Sequence, residues 1–183
     1  MIETARLRLR AWREQDRAPF HRIASDPRVM EFFPAPLSRE QSDGLIARLE
    51  AHHAQHGFTF FAAELIDTEL AGTSELIGFI GMAYTPFEAH FTPCVEIGWR
   101  LGAEFWGQGL ATEGAQAVLR HGFDELKLPE IVAFTVPANR RSRRVMEKLG
   151  MTYNPADDFD HPRLPPEHPL RPHVLYRARA GRV

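Results

Sequence analysis

The chain has 183 residues, of which 44% are hydrophobic and 25% are charged, and its formal net charge is −2. This composition excludes disordered and fibrous proteins, and the small negative charge argues against a nucleic-acid-binding protein that relies on bulk charge. The length favours one domain over residues 1–183. No apolar run approaches the roughly 20 residues of a membrane span. Because the start of the chain has no signal-peptide core and Cys94 is the one cysteine, a cytoplasmic location is expected.

The first half of the chain carries strand, helix and hairpin patterns. Leu7 and Leu9 alternate with arginines, which is the period-two pattern of a half-exposed strand. Ser38, with Gln41 three residues later, forms a capping-box pattern, and Gly57 marks the end of the helix that this pattern opens. The elements expected here are a strand at 7–9, helices over 14–25 and 38–56, and strands over 58–65 and 76–84 joined as a hairpin by the linker 66–75.

The second half continues the alternation of strands and helices. Apolar residues at every second position predict a strand over 95–101, and Gly150 stands where a glycine commonly ends a helix. The elements expected here are that strand, a helix over 110–126, a strand over 131–136, a helix over 138–149, a proline-rich stretch to 172 and a last strand over 173–180. The order of elements predicts a mixed α/β fold.

The most informative segment is the loop between the strand 95–101 and the next helix. It reads Phe105-Trp106-Gly107-Gln108-Gly109-Leu110-Ala111-Thr112-Glu113. Glycines let a backbone turn tightly and approach a ligand closely, and the start of the helix offers free N–H groups and a positive dipole end. Together these predict an anion seat suited to a pyrophosphate, although a glycine turn that only caps the helix remains an alternative. The loop is neither a dinucleotide fingerprint nor a P-loop, because Thr112 and Ala115 stand where those motifs require Gly and Lys.

This loop resembles the motif Gln/Arg-x-x-Gly-x-Gly/Ala of the GNAT acetyltransferase superfamily. Gly109 and Ala111 match it, and Trp106 stands at the Gln/Arg position, as in the branch of ribosomal-protein alanine and serine N-acetyltransferases. A second similar block runs from Asn139-Arg140-Arg141-Ser142 to Glu147-Lys148-Leu149-Gly150-Met151. The resemblance implies a mostly antiparallel sheet of about seven strands flanked by helices. It also implies an N-acetyltransferase that moves acetyl from acetyl-CoA to a primary amine by direct attack in a ternary complex.

The same resemblance implies which residues bind acetyl-CoA. The strand backbone at Ile97, Trp99 and Leu101 would pair with the pantetheine arm. Asn139 would bind the pantetheine as well, and Arg144 would supply a cation for the 3′-phosphate, although a solvated helix face explains most of the neighbouring arginines. The N–H groups that would cradle the pyrophosphate belong to Gly107, Gln108, Gly109, Leu110, Ala111 and Thr112.

Amide formation needs a neutral amine and a proton for the departing thiolate. The resembled family often takes that proton from a tyrosine, but Met146 stands at the corresponding position. Ser142, on the same apolar helix face, is the expected acid, and a hydrogen bond back to its own helix is the alternative. Glu96 is the expected base, because a mid-strand carboxylate is costly to bury without a partner. An ion pair with Arg100 on the same strand face is the structural alternative.

The acceptor pocket is expected near the segments that follow the first strand, as in the resembled family. Neutralising an α-amine near pH 7.5 costs less than about 1 kcal/mol, whereas a lysine amine costs roughly 4 kcal/mol. We therefore expect a protein N-terminus or a small-molecule amine as acceptor. Glu31 and His161 are weaker candidate bases. The residues expected to bind the acceptor are Trp12, Glu31, Phe32 and Phe33.

Several alternatives stay open at this stage. The chain could be an acyl-CoA-binding sensor or partner module without catalysis, or an acyltransferase with another acyl-CoA donor or with an antibiotic or polyamine acceptor. A homodimer is also conceivable, whereas nucleic-acid and membrane partners are not expected. His52 and His56 share a helix face but lack an acidic partner, so no metal site is expected.

Overall fold

The computed structural model describes residues 1–66 and 74–181. In chain order its elements are β1 (Ile2–Glu3), β2 (Leu7–Arg10), a 3₁₀ turn (Glu14–Asp16), α1 (Arg17–Ala24), α2 (Arg39–His56), β3 (Phe60–Ile66), β4 (Ser74–Tyr84), β5 (Val95–Leu101), a 3₁₀ turn (Ala103–Phe105), α3 (Leu110–Asp124), β6 (Glu130–Thr135), α4 (Arg140–Lys148), β7 (Thr152–Tyr153), a 3₁₀ turn (Pro155–Asp157), β8 (Phe159–Asp160) and β9 (Pro172–Arg179). The long elements match the predicted ones closely.

The strands of the described residues form a mixed sheet in the order β1-β2-β3-β4-β5-β6-β9-β7, and β8 also pairs with β9. Every pairing is antiparallel except the one between β5 and β6. The predicted mostly antiparallel sheet with flanking helices is therefore confirmed. Within the described residues the sheet has nine strands, against about seven expected. Three of them, β1, β7 and β8, have two residues each, which is too short for a period-two pattern.

Two hydrophobic clusters cover the opposite faces of the sheet. Phe61 and Ala63 of β3 belong to the larger cluster, which includes α3 and α4 residues, whereas Ala62 belongs to the smaller one, which includes α1 and α2 residues. Because successive strand residues point to opposite faces, the two clusters lie on either side of the sheet. The helices thus cover the sheet in two layers, one on each face.

The capping box predicted for α2 is present. The Ser38 hydroxyl accepts a hydrogen bond from the backbone N–H of Gln41, and the Gln41 side chain accepts one from the N–H of Ser38. Gly57 follows the helix in the left-handed region, with φ of 79°. The hairpin of β3 and β4 is present in the pairing of Ile66 with Ser74, although linker residues 67–73 lie outside the described ones.

A buried ion network fastens β2 to β3. The guanidinium of Arg10, 5% exposed, donates through Nη1 to Asp16 at 2.6 Å, through Nη2 to Asp16 at 2.9 Å, and through Nε to Glu64 at 3.0 Å. Each nitrogen of this buried cation has a carboxylate partner, so its charge is compensated within the fold.

Within the described ranges, no helix combines the length and the apolar character needed to cross a bilayer.

Candidate active site

A cavity of about 1080 Å³ opens where the sheet divides. β5 pairs with β4 along its whole length, but its parallel ladder with β6 has one registered pair, Glu96 with Val132. The two strands therefore part beyond Glu96, and residues 97–101 border the cavity. The other walls come from the glycine loop, α4, the segment after α1 and residues of the proline-rich stretch.

The glycine loop presents the start of α3 to this cavity. Gly107 and Gly109 have φ of 76° and 80°, in the left-handed region that glycine adopts without steric cost. The first backbone bond within the helix runs from the N–H of Glu113 to the carbonyl of Gly109 at 3.0 Å. The residues before Glu113 therefore keep their N–H groups free of helix bonds. Three of them, Leu110, Ala111 and Thr112, line the cavity, so the positive end of α3 offers a seat for an anion.

Side chains from distant parts of the chain hold this loop in place. Glu113 accepts hydrogen bonds from the Thr4 hydroxyl at 2.6 Å, from the Arg6 N–H at 2.9 Å and from Arg6 Nε at 2.7 Å. Arg6 Nη1 donates to the carbonyl of Gln108 at 3.0 Å, and the Trp106 indole donates to the Leu101 carbonyl at 2.9 Å. Sequence reasoning missed these contacts, because Arg6 and Glu113 are separated by 107 positions.

Most residues predicted to bind acetyl-CoA border the cavity. Gln108 does not: its side-chain amide donates to the Glu104 carbonyl at 3.0 Å, and its backbone carbonyl accepts from Arg6. The predicted residues that do line the cavity are Ile97, Trp99, Leu101, Gly107, Gly109, Leu110, Ala111, Thr112, Asn139 and Arg144.

Helix α4 begins at the cavity wall. Asn139 caps it by accepting from the Ser142 N–H at 3.1 Å, and its amide donates to the Thr135 hydroxyl at 3.0 Å. Arg144 is exposed on the cavity rim, 3.2 Å from Glu147. Arg143, by contrast, does not line the cavity, since its guanidinium donates to the Tyr176 hydroxyl and the Pro137 carbonyl. Arg144 is thus better placed than Arg143 to meet a bound anion.

The hydroxyl of Ser142 makes no hydrogen bond with any described residue, and the side chain lines the cavity. The alternative expected from sequence, a bond from this hydroxyl back to its own helix, is therefore not formed. Met146, one turn further on, is 1% exposed and belongs to the larger core cluster. This leaves Ser142 as the hydroxyl of the α4 face that borders the cavity.

Glu96 and Arg100 both line the cavity, on the same face of β5. The Glu96 carboxylate has no hydrogen bond or ion pair within the described residues, and burial raises its pKa to about 8. Arg100 packs its guanidinium carbon 4.1 Å from the Phe33 ring centre and 5.3 Å from that of Phe79, and burial lowers its pKa to about 10. The ion pair between the two, which was the structural alternative, is not formed.

Two of the expected acceptor residues lie outside the cavity, whereas Phe32 and Phe33 line it. Trp12 is 6% exposed in the smaller core cluster, where its indole donates to the Phe60 carbonyl at 2.9 Å. Glu31 is exposed and pairs with Arg141 at 2.9 Å, beside a separate shallow depression. Trp12 serves the core, where its ring lies 5.0 Å from that of Phe20 between centres. Glu31 is drawn to a cation on the rim.

The proline-rich stretch closes the far end of the cavity, which sequence reasoning left unassigned. β8 pairs with β9 and brings His161 against the rings of Phe87 and His173, 4.7 Å and 5.1 Å away between centres. Burial lowers the pKa of His161 to about 4 and also lowers that of His173. An imidazole of such low basicity is a poor proton acceptor, so His161 is a weak candidate base.

One histidine of α2, His52, has a structural role. His52 bridges two backbone groups, with Nδ1 2.8 Å from the Phe58 carbonyl and Nε2 accepting from the Tyr84 N–H at 3.1 Å. Since both ring nitrogens are engaged, His52 ties α2 to β4.

Comparison with known proteins agrees with this geometry. The family model described as the acetyltransferase (GNAT) domain matches residues 6–152. The N-acetyltransferase YnaD of Bacillus subtilis, uncharacterized by its name, is 32% identical over 82% of this chain and 81% of its own. A GNAT-family acetyltransferase structure from Bacillus anthracis has a TM-score of 0.77 and 28% identity, over 97% of both chains. The ribosomal α-N-protein acetyltransferase RimL, solved with coenzyme A, shares the fold alone, with a TM-score of 0.73 and 17% identity over 97% of this chain and 96% of its own. This chain belongs to the GNAT acetyltransferase family.

Proposed function

We propose that this acetyltransferase moves the acetyl group of acetyl-CoA to the α-amine of a peptide or small molecule, by direct attack within a ternary complex. The observation that carries the proposal is that a half-buried carboxylate, Glu96, and a hydroxyl, Ser142, both without a hydrogen-bond partner among the described residues, border one cavity with the anion seat of α3. A base, an acid and a phosphate-binding element are the groups that this reaction requires.

The residues present fit acetyl-CoA. The free N–H groups at the start of α3 suit a diphosphate, and Arg144 adds a cation on the rim. Residues 97–101, which part from β6, leave backbone groups available to an extended amide-bearing arm. When bound, acetyl-CoA supplies an activated acetyl thioester. The chain's own contribution is to hold that group beside the amine, and such positioning can supply roughly 7–11 kcal/mol of the barrier reduction.

The pKa of Glu96 favours an α-amine over a lysine. α-Ammonium groups titrate near 7.7–8.0, about the same as the value of about 8 for Glu96. Proton transfer from an α-ammonium to the Glu96 carboxylate is therefore nearly balanced in free energy. A lysine ammonium, which titrates near 10.4, would make the same transfer unfavourable by about 3 kcal/mol. Glu96 thus suits the α-amine, the weaker base of the two, and Ser142 would donate a proton to the leaving thiolate.

The test is an acceptor panel with CoA release as the readout. Lysine-free peptides with a free N-terminus should be acetylated, whereas N-terminally blocked peptides that contain one lysine should not. Mass spectrometry of the products assigns the modified nitrogen. Acetylation confined to the internal lysines would contradict the α-amine, and acetyl-CoA binding without CoA release on any amine would favour the sensor module over an enzyme.

A further inference from the structure

The guanidinium of Arg100 is a half-buried cation without a counter-charge among the described residues. Its Nε and Nη1 atoms are buried and have no hydrogen-bond partner among the described residues. The side chain borders the cavity, and its nearest ring neighbours, Phe33 and Phe79, have no lone pairs to offer. A ligand in the cavity would therefore meet the group through Nη2, the guanidinium nitrogen that is not buried.

The contrast with Arg10 shows how this protein otherwise treats a buried guanidinium. All three nitrogens of Arg10 donate to the carboxylates of Asp16 and Glu64. A buried charge without such partners lowers the stability of the fold. Arg100 has no carboxylate partner within the described residues. The Phe33 and Phe79 rings offset part of its charge, and an anion in the cavity would offset the rest.

We infer that the acceptor molecule carries a carboxylate in addition to its amine, and that Arg100 binds this carboxylate while Glu96 faces the amine. This inference rests on the proposed function, because it assigns the substrate class of the same site. A single guanidinium balances one negative charge and matches the planar, two-oxygen geometry of a carboxylate.

The layout of β5 supports recognition at two points. Glu96 and Arg100 stand on one face of the strand, with about 13 Å between their Cα atoms at roughly 3.3 Å per residue. Between them Gly98 has no side chain, and the Phe60 ring covers that position, with Cε1 3.1 Å from where a Cβ would be and Glu96 Oε1 4.0 Å from it. Burial is the sole cause of the pKa shift of either group, so the two charges do not neutralise each other. A zwitterionic molecule that crosses the Phe60 ring within the cavity would meet both groups.

The experiment uses di-, tri- and tetrapeptides of glycine, each as the free acid and as the C-terminal amide. In these peptides the amine and the C-terminal carboxylate belong to different residues. Amidation therefore removes the carboxylate and changes the basicity of the amine little. We expect kcat/KM for the best free acid to exceed that of its amide by at least tenfold in the wild-type protein. Arg100→Met should remove this preference, because the free acids lose the partner of their carboxylate. Arg120→Met, an exposed arginine of α3, is the matched control and should keep the preference.

A binding measurement keeps the inference separate from the proposed function. The same free acids should raise the thermal unfolding midpoint of the wild-type protein and not that of Arg100→Met, with no acetyl-CoA present. Arg100→Met should itself unfold no earlier than wild type, since it removes an uncompensated charge. Equal binding and turnover of acids and amides, or an acid preference that survives Arg100→Met, would overturn the inference. Turnover of no amine, with acid binding intact at Arg100, would overturn the proposed function alone.

Discussion

The two ends of the cavity are built from different parts of the polypeptide. At the anion seat the ligand-facing groups are backbone N–H groups, and the side chains around them, such as Arg6 and Glu113, are paired with one another. Further along β5 the groups that face the cavity are side chains, and Glu96 and Arg100 have no described partner. The fold alone provides the binding groups of the first end, whereas the second end has two charged side chains without an opposite charge among the described residues.

This difference separates what the fold supplies from what the individual sequence supplies. A helix start with glycines before it binds any diphosphate in the same way, so this end suits a ligand common to a whole family. Unpaired buried side chains recognise one arrangement of charges and reject others. The acceptor should therefore be decided by the side-chain end.

Breaking the backbone end should have the largest effect on cofactor binding. In Gly109→Val a β-branched residue is forced to a φ of 80°, and its Cβ would stand 3.7 Å from Nη2 of Arg6, which holds the loop. We expect acetyl-CoA affinity to fall by more than about 100-fold, measured by calorimetry. Gly57→Val is the matched control, because Gly57 has nearly the same φ at the end of α2 with open space around it, and it should bind normally. Unchanged affinity in a folded Gly109→Val protein would refute the anion seat.

Ser142→Ala should impair the chemical step and leave acetyl-CoA binding intact. If the hydroxyl protonates the thiolate, kcat should fall by about 10²–10⁴-fold while the acetyl-CoA Kd stays near wild type. Fold stability should not change, since this hydroxyl bonds to no described residue. Near-native kcat would mean that the proton comes from elsewhere.

Glu96→Gln should lower activity and raise stability at high pH. We expect a loss of about 10²-fold or more in kcat/KM, together with loss of the part of the pH profile that rises towards pH 8. In the fold Glu96 keeps its proton up to about pH 8, against 4.5 ordinarily. Its contribution to stability is therefore full below about 4.5 and is lost as the pH rises through 8.

Between pH 5 and 9 the variant should accordingly gain about 2–4 kcal/mol in unfolding free energy relative to wild type, since one pKa unit corresponds to about 1.4 kcal/mol. Urea unfolding at the two pH values measures this gain. Glu75→Gln, at an exposed strand position, serves as the control. Parallel pH curves for Glu96→Gln and wild type would show that Glu96 is already ionised in the fold.

The smallest expected effect concerns the support of the loop. Glu113→Ala removes the acceptor for Thr4 and Arg6 without touching the anion seat itself. The acetyl-CoA Kd should rise about fivefold, a loss of about 1 kcal/mol, as for a typical hydrogen-bonded contact. Glu3→Ala breaks the neighbouring pair with Arg8 and should leave the Kd unchanged. Equal effects of the two variants would show that the loop needs no such support.

Much of the fold could be predicted because its signals are local. The Ser38 and Gln41 capping box and the alternation along β5 depend on residues a few positions apart, and the structure has both elements as expected. The two-residue strands were missed, because β7 and β8 exist only through pairing with β9. Such pairing depends on distant chain segments and leaves no periodic pattern.

The predictions for the site differ in the same way, between local signals and long-range packing. The tight turn of the loop at Gly107 and Gly109 could be predicted from the sequence, since it depends on adjacent residues. The absence of an ion pair between Glu96 and Arg100 could not be predicted, because it depends on Phe33 and Phe79 packing against the guanidinium. Trp12 was assigned to the pocket because its type suits both a wall and a core, and only packing distinguishes the two.

The parting of β5 from β6 also bears on self-association. A strand edge with unpaired backbone groups on the outside of a protein invites other chains to add to the sheet. Here such an edge, residues 97–101, lies inside the cavity between the glycine loop and α4. A slender, extended ligand can reach it, whereas a folded neighbour cannot insert a strand there. The protein thus keeps a sheet edge open for pairing while shielding it from aggregation.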